Sequence, residues 1–134
     1  MKTQSIMIVE NNTDLRNTLR HAFEDRGYMT WTCPAPEIAV CIFAAVRPNV
    51  VLLDLDFAGS SPMDLLDAWK KLSPHTKVFV ESAISDERLM QEAVDHGAQA
   101  FLIKPYTLEP LFDMLEEDLP PSAPMAAMVR QAAA

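Results

Sequence analysis

The sequence predicts an α/β domain in which helices cover both faces of a parallel β-sheet. Short apolar runs alternate with amphipathic helical stripes five times along the chain. The run Val50-Val51-Leu52-Leu53 is apolar at every position, which is typical of a strand buried on both faces. Because parallel strands joined through helices have right-handed crossovers, we expect a doubly wound sheet.

The five predicted strands are short, and the second is the most polar, so we expect it at an edge of the sheet. A flavodoxin-like order 2-1-3-4-5 would place the topological switch point between the first and third strands. The predicted strands are Ser5–Val9, Tyr28–Cys33, Val50–Leu53, Lys77–Glu81 and Ala100–Ile103.

The five predicted helices begin at capping residues or prolines. Gly27 and Gly97 are expected to end the first and fourth helices, because glycine readily takes the left-handed conformation found just after helices. The start signals, in chain order, are Asn12 or Thr13, Pro34–Pro36, Ser61-Pro62, Ser85 and Thr107.

We expect one domain over residues 1–118, followed by a Pro/Ala-rich tail or linker over residues 119–134, part of which could form a short helix. A hydrophobic content of 49% indicates a globular chain. The net charge of −8 argues against direct binding to nucleic acid or to an anionic membrane. No apolar run reaches the roughly 18–20 residues of a membrane span, and the first residues lead into a strand, so we expect a cytoplasmic protein.

Polar residues stand where four of the predicted strands end. Glu10-Asn11 follows the first strand, Asp54 and Asp56 follow the third, and the last two strands end near Ser82 and Lys104. Open parallel sheets bind ligands at the carboxyl ends of their strands. A carboxylate nucleophile, oxygen ligands for a hard cation, a hydroxyl and an ammonium together suit phosphoryl transfer.

The chain resembles the receiver domain of two-component response regulators over residues 4 to about 118. The stretches that carry the resemblance are Ile6–Asn11, Val51–Asp56, Val80–Ala83 and Phe101–Tyr106. Each is weak alone, but the four occur in the family's order at the expected strand ends.

The resemblance assigns roles to residues. It implies that Asp54 is the phosphoacceptor, Lys104 the phosphate-binding lysine, Ser82 the switch hydroxyl and Phe101 its aromatic switch partner. It further implies that Ala83 leaves room for the phosphoryl group. The bond from Lys104 to the following proline is expected to be cis.

By the same resemblance, Mg²⁺ would be held by Glu10, Asn11, Asp54 and the backbone carbonyl of Asp56. The family usually has two acids after the first strand, and here the second is Asn11. Because an amide carries no charge, we expect a weakened magnesium site.

The function implied is that of a phosphorelay module: it accepts phosphate from a histidine kinase or phosphotransfer protein and then changes its binding to a partner. The family's contact surface, formed by helix 4, strand 5 and helix 5, could bind an effector or a second copy. Enzymatic activity would be limited to self-phosphorylation and dephosphorylation at Asp54. Two alternatives stay open: a phosphorylation-independent pseudo-receiver, and a haloacid-dehalogenase-like phosphatase using Asp54-Leu55-Asp56.

Overall fold

The computed structural model describes residues 4–56, 61–116 and 128–130. Its sheet is parallel throughout, with the strand order β2-β1-β3-β4-β5-β6. The strands are β1 (Ser5–Val9), β2 (Met29–Cys33), β3 (Val50–Asp54), β4 (Lys77–Ser82), β5 (Ala100–Ile103) and β6 (Met128–Arg130). The predicted five-stranded order 2-1-3-4-5 is confirmed, with β2 at one edge.

The sixth strand is not predicted by the sequence. The backbone of Met128–Arg130 pairs in parallel with residues 101–103 of β5 and forms the far edge of the sheet. A strand of three residues is too short to give a recognisable alternation. Most of the expected tail, residues 119–127 and 131–134, lies outside the described residues.

In the ranges that the structure describes, five helices alternate with the strands: α1 (Thr13–Asp25), α2 (Pro36–Val46), α3 (Pro62–Leu72), α4 (Glu87–Asp95) and α5 (Leu108–Glu116). Asn12 caps α1 as expected, since its side chain accepts a hydrogen bond from the Leu15 amide. The cap predicted at Ser85 was wrong by one residue, because Asp86 accepts from the Arg88 amide. No helix in the described ranges is both long and apolar enough to cross a membrane.

The helices divide between the two faces of the sheet and create two apolar cores. One core packs α2, α3 and α4 against residues such as Val51 and Val80. The other packs α1 and α5 against residues such as Leu52 and Phe79. Successive residues of a strand point to opposite faces, so each central strand supplies both cores in alternation. This alternation also fixes where the side chains at the strand ends point.

Candidate functional site

Three carboxylates and one ammonium meet at the carboxyl edge of the sheet. The Nζ atom of Lys104 lies 2.9 Å from Oε1 of Glu10, 3.2 Å from Oδ2 of Asp54 and 3.9 Å from Oε1 of Glu81. The three acids are buried, and the Lys104 side chain is 19% exposed. One oxygen from each carboxylate lies within 4.8 Å of the others. The four groups therefore form a single electrostatic unit.

Strand alternation explains why these four side chains meet. Each of them directly follows a strand residue that packs in the core of α2, α3 and α4. The next residue along a strand must point to the opposite face, on which α1 and α5 lie. The preceding residues are Val9, Leu53, Val80 and Ile103.

Glu81 is a site residue that the sequence analysis missed. It pairs in register with Asp54, and the hydroxyl of Tyr106 donates a hydrogen bond to its Oε2 atom. The signal was available: Glu81 is an acid in an otherwise apolar stretch, two residues after Phe79, so alternation puts it on the face of α1 and α5. An acid at a buried strand position calls for partners, and Tyr106 is one of them.

Burial and mutual repulsion shift two of the carboxyl groups toward their protonated forms. Burial raises the pKa of Asp54 to about 6, with the Asp56 amide and Lys104 opposing the shift and Glu10 adding to it. Burial also raises the pKa of Glu81 well above its ordinary value, and the hydrogen bond with Glu10 raises it further. Both effects favour the protonated form of the Glu81 carboxyl group.

Glu10 is the acid that stays ionised. Burial alone would raise the pKa of Glu10, but hydrogen bonds from Glu81, the Asn12 amide and Lys104 lower it to about 2. Burial would lower the pKa of Lys104, and the carboxylates of Glu10, Glu81 and Asp54 raise it instead. At neutral pH a carboxylate and an ammonium thus face each other beside Asp54.

The side chain of Asp56 does not face this cluster. Its Oδ1 atom accepts a hydrogen bond of 2.6 Å from the Ser82 hydroxyl, and its Oδ2 atom accepts one of 2.8 Å from the Ala83 amide. Its own amide donates to Oδ1 of Asp54 at 2.9 Å. Ser82 is therefore linked to Asp54 through Asp56.

The remaining predicted residues lie at different depths. Asn11 is exposed just after β1, and Phe101 is buried in the core of α2, α3 and α4. The peptide bond between Lys104 and Pro105 is cis, as expected. The structure thus brings Glu10, Asp54 and Lys104 into contact and leaves Phe101 in the core.

The donor set suits a hard divalent cation. Carboxylate oxygens are the ligands that Mg²⁺ prefers, and this acidic group supplies three of them from adjacent strands. Lys104 contacts the same oxygens, so a cation bound here would share Glu10 and Asp54 with the ammonium.

Comparison with known proteins agrees with this geometry. Residues 6–116 match the family model described as the response regulator receiver domain. The chain belongs to this family. It is a phosphoacceptor signalling module, since that is what receiver domains are. Receiver domains as a class are not typical enzymes.

Individual relatives share about a quarter to a third of their residues with this receiver domain. "Sporulation initiation phosphotransferase F" of Bacillus subtilis (strain 168) is 27% identical over 120 residues, which span 90% of this chain and 97% of that protein. "Nitrogen assimilation regulatory protein NtrX" of Azorhizobium caulinodans is 30% identical over 116 residues, 85% of this chain but only 26% of that protein. The receiver domain is thus similar both to a nearly full-length relative and to one part of a much longer regulator.

Solved structures show the same fold. A Burkholderia pseudomallei response regulator, with a phosphorylated aspartic acid, a calcium ion and citrate, has a TM-score of 0.78 at 22% identity, covering 84% of this chain and 66% of that one. A two-component response regulator from Clostridium difficile has a TM-score of 0.81 at 17% identity, covering 86% and 94%. At such identities the likeness concerns the fold.

These findings establish the family. Receiver domains bind Mg²⁺ through an acidic cluster and interact with histidine kinases or phosphotransfer proteins. The comparisons favour neither the pseudo-receiver nor the phosphatase alternative. The family match ends at residue 116, and the domain boundary at 118 stays a prediction.

Proposed function

We propose that Asp54 is the phosphoacceptor of this receiver domain, within a two-component or phosphorelay system. The observation that carries the proposal is the position of its carboxylate. Asp54 ends the central strand β3, and its Oδ2 atom lies 3.2 Å from the Lys104 ammonium. A nucleophilic carboxylate beside a fixed cation is what phosphoryl transfer requires.

In the proposed reaction, an Asp54 oxygen attacks the phosphorus of a phosphohistidine. The P–N bond breaks, its electron pair remains on the imidazole nitrogen, and an acyl phosphate forms on Asp54. Lys104 balances the charge that the phosphoryl group brings, and Glu10 holds the ammonium in place. Hydrolysis of the acyl phosphate by water restores the carboxylate, so enzymatic activity is confined to Asp54 itself.

A magnesium ion fits the proposal. Glu10, Asp54 and the backbone carbonyl of Asp56 would hold it, with Asn11 adding an amide oxygen. When bound, Mg²⁺ neutralises negative charge on the phosphoryl oxygens. Glu81 is the weaker candidate ligand, because a carboxyl group must lose its proton to bind a metal and burial raises the pKa of Glu81.

Replacing Asn11 with aspartate should tighten Mg²⁺ binding at least roughly fivefold, because it adds a unit of negative charge beside the cation. Isothermal titration calorimetry measures this affinity. Asn12→Asp is a matched control, since it adds the same charge one residue away and keeps a side chain able to cap α1. Equal affinities for wild type and Asn11→Asp would show that residue 11 does not face the cation.

The proposed response to phosphorylation is the one that the family resemblance implies. Ser82 and Phe101 would respond to the phosphoryl group, and the surface of α4, β5 and α5 would bind an effector or a second copy. The donor is a histidine kinase or phosphotransfer protein, and the proposed compartment is the cytoplasm. Because β6 pairs with β5, a partner would meet the backbone of Met128–Arg130 at that edge.

Intact-mass measurement after incubation with acetyl phosphate and millimolar Mg²⁺ tests the phosphoacceptor directly. We expect a mass increase of one phosphoryl group in the wild type and none in Asp54→Asn. A wild type that gains no mass would contradict the proposal and favour a phosphorylation-independent interaction module. A gain that persists in Asp54→Asn would place the phosphate elsewhere.

A further inference from the structure

The side chain of Asp56 occupies two hydrogen-bond donors at the rim of the site. Its two carboxylate oxygens accept separately from the Ser82 hydroxyl, at 2.6 Å, and from the Ala83 amide, at 2.8 Å. The Ser82 oxygen in turn accepts from the Ile84 amide at 3.0 Å. A carboxylate with both oxygens engaged is a well-satisfied anion on this loop.

These donors lie next to the proposed phosphoacceptor. The Asp56 amide donates to Oδ1 of Asp54 at 2.9 Å, while the Asp56 carboxylate binds Ser82 and Ala83. Asp56 is therefore the one residue that connects Asp54 to these two donors. Backbone bonds fix both segments: the Leu55 amide donates to the carbonyl of Glu81, and the Lys104 amide to that of Ser82. The loops after β3 and β4 are thus held together at this rim.

A phosphoryl group on Asp54 needs donors for its three oxygens. On the side of Asp54 nearest Lys104, the ammonium supplies one at 3.2 Å from Oδ2. On the other side, Oδ1 of Asp54 accepts from the Asp56 amide, and the Asp56 carboxylate holds two further donors, the Ser82 hydroxyl and the Ala83 amide. An anion that occupies donors also repels a second anion placed beside them.

We propose that the Asp56 carboxylate is an internal competitor of the phosphoryl group. It binds the Ser82 hydroxyl and the Ala83 amide in the unphosphorylated state and must release them when Asp54 is phosphorylated. Asp56 is therefore a positioning residue that sets how readily the receiver is phosphorylated. This inference rests on the proposed role of Asp54 and adds an opposing group to it.

This competition predicts how the hydrogen bonds of the loop after β4 change on phosphorylation. In the unphosphorylated state Asp56 holds Ser82 and Ala83 toward β3, and phosphorylation replaces one anion with another. The change at the loop is an exchange of partners in which the same donors stay occupied. The Asp56 carboxylate would then oppose phosphorylation while leaving neither donor unsatisfied in the unphosphorylated state.

The test compares wild type, Asp56→Ala and Asp56→Asn at saturating Mg²⁺, with acetyl phosphate as the donor. We expect Asp56→Ala to raise the initial rate of phosphoryl incorporation roughly tenfold, about the worth of one charge-assisted hydrogen bond. Asp56→Asn should give an intermediate rate, since its amide keeps one acceptor oxygen and loses the charge. Asp113→Asn removes the same charge from an exposed position of α5 and should leave the rate unchanged.

A second measurement follows the Ala83 amide by NMR hydrogen exchange without any phosphate donor. We expect its protection to fall in Asp56→Ala and to survive in Asp113→Asn. Either of two results overturns this inference and leaves the role of Asp54 intact. One is a wild type that is phosphorylated as fast as Asp56→Ala. The other is an Ala83 amide that is equally protected in the wild type and in Asp56→Ala. If neither protein gains phosphate, the role of Asp54 and this inference both fail.

Discussion

Replacing Lys104 with methionine should lower the free energy of unfolding by about 3 kcal/mol at pH 8. The ammonium contacts Glu10, Asp54 and Glu81, and in the described part of the chain every ion pair of these acids involves Lys104. Methionine keeps the length of the side chain and removes the charge. The buried carboxylates are then left without their cation, which is the costly way to break a buried ion pair.

The loss should depend on pH in a definite direction. The carboxylates raise the pKa of Lys104 above its ordinary value of 10.5, so the lysine stays charged below pH 10.5, and deprotonation removes its contribution as the pH rises past its folded-state pKa. As the pH falls through about 6, Asp54 takes up a proton, and its electrostatic attraction to the Lys104 ammonium is lost. The deficit of the variant should therefore shrink toward pH 5.

Urea unfolding followed by circular dichroism at pH 8 and pH 5 measures both effects. Lys71→Met is the control, because Lys71 is an exposed lysine of α3, and its loss should change stability by less than about 0.5 kcal/mol. A Lys104→Met protein as stable as wild type at pH 8 would show that the three acids are satisfied without the ammonium.

The fold and the centre of the site were predictable because strand residues obey simple constraints. The apolar run Val50–Leu53 requires burial on both faces, and the polar residues after the strands then fall at one edge. That argument alone brings Asp54 and Lys104 together. It also places Glu10 at the same edge, where the structure pairs it with the lysine.

Glu81 was missed although strand alternation places it on the face of α1 and α5, and only its partner Tyr106, in the loop after β5, is not revealed by the local sequence. The other missed features depend on geometry that the sequence does not encode locally. The direction of the Asp56 side chain depends on how the loop after β4 approaches β3, which no spacing reveals. The strand Met128–Arg130 exists only through its pairing with β5.

Replacing Asp54 with asparagine should have the opposite effect to Lys104→Met and raise the free energy of unfolding by about 3 kcal/mol at pH 8. Burial raises the pKa of Asp54 from 3.8 to about 6, so ionisation of this group disfavours the folded state. Between these pH values the folded protein binds more protons than the unfolded chain, and stability falls as the pH rises through that window. The gain from asparagine should therefore be complete above about pH 6 and small near pH 4.

The physical reason lies in the charge balance of the cluster. Asparagine keeps an oxygen that can accept from the Asp56 amide, while Lys104 retains Glu10 as its partner. Urea unfolding of wild type and Asp54→Asn from pH 4 to pH 8 measures the gain, with Asp113→Asn as an exposed control.

The double variant Asp54→Asn/Lys104→Met links the two predictions. With one carboxylate gone, Lys104→Met should lower the free energy of unfolding by less than it does in the wild type. Additive effects would mean that Asp54 and Lys104 do not interact in the folded protein, which the separation of 3.2 Å argues against.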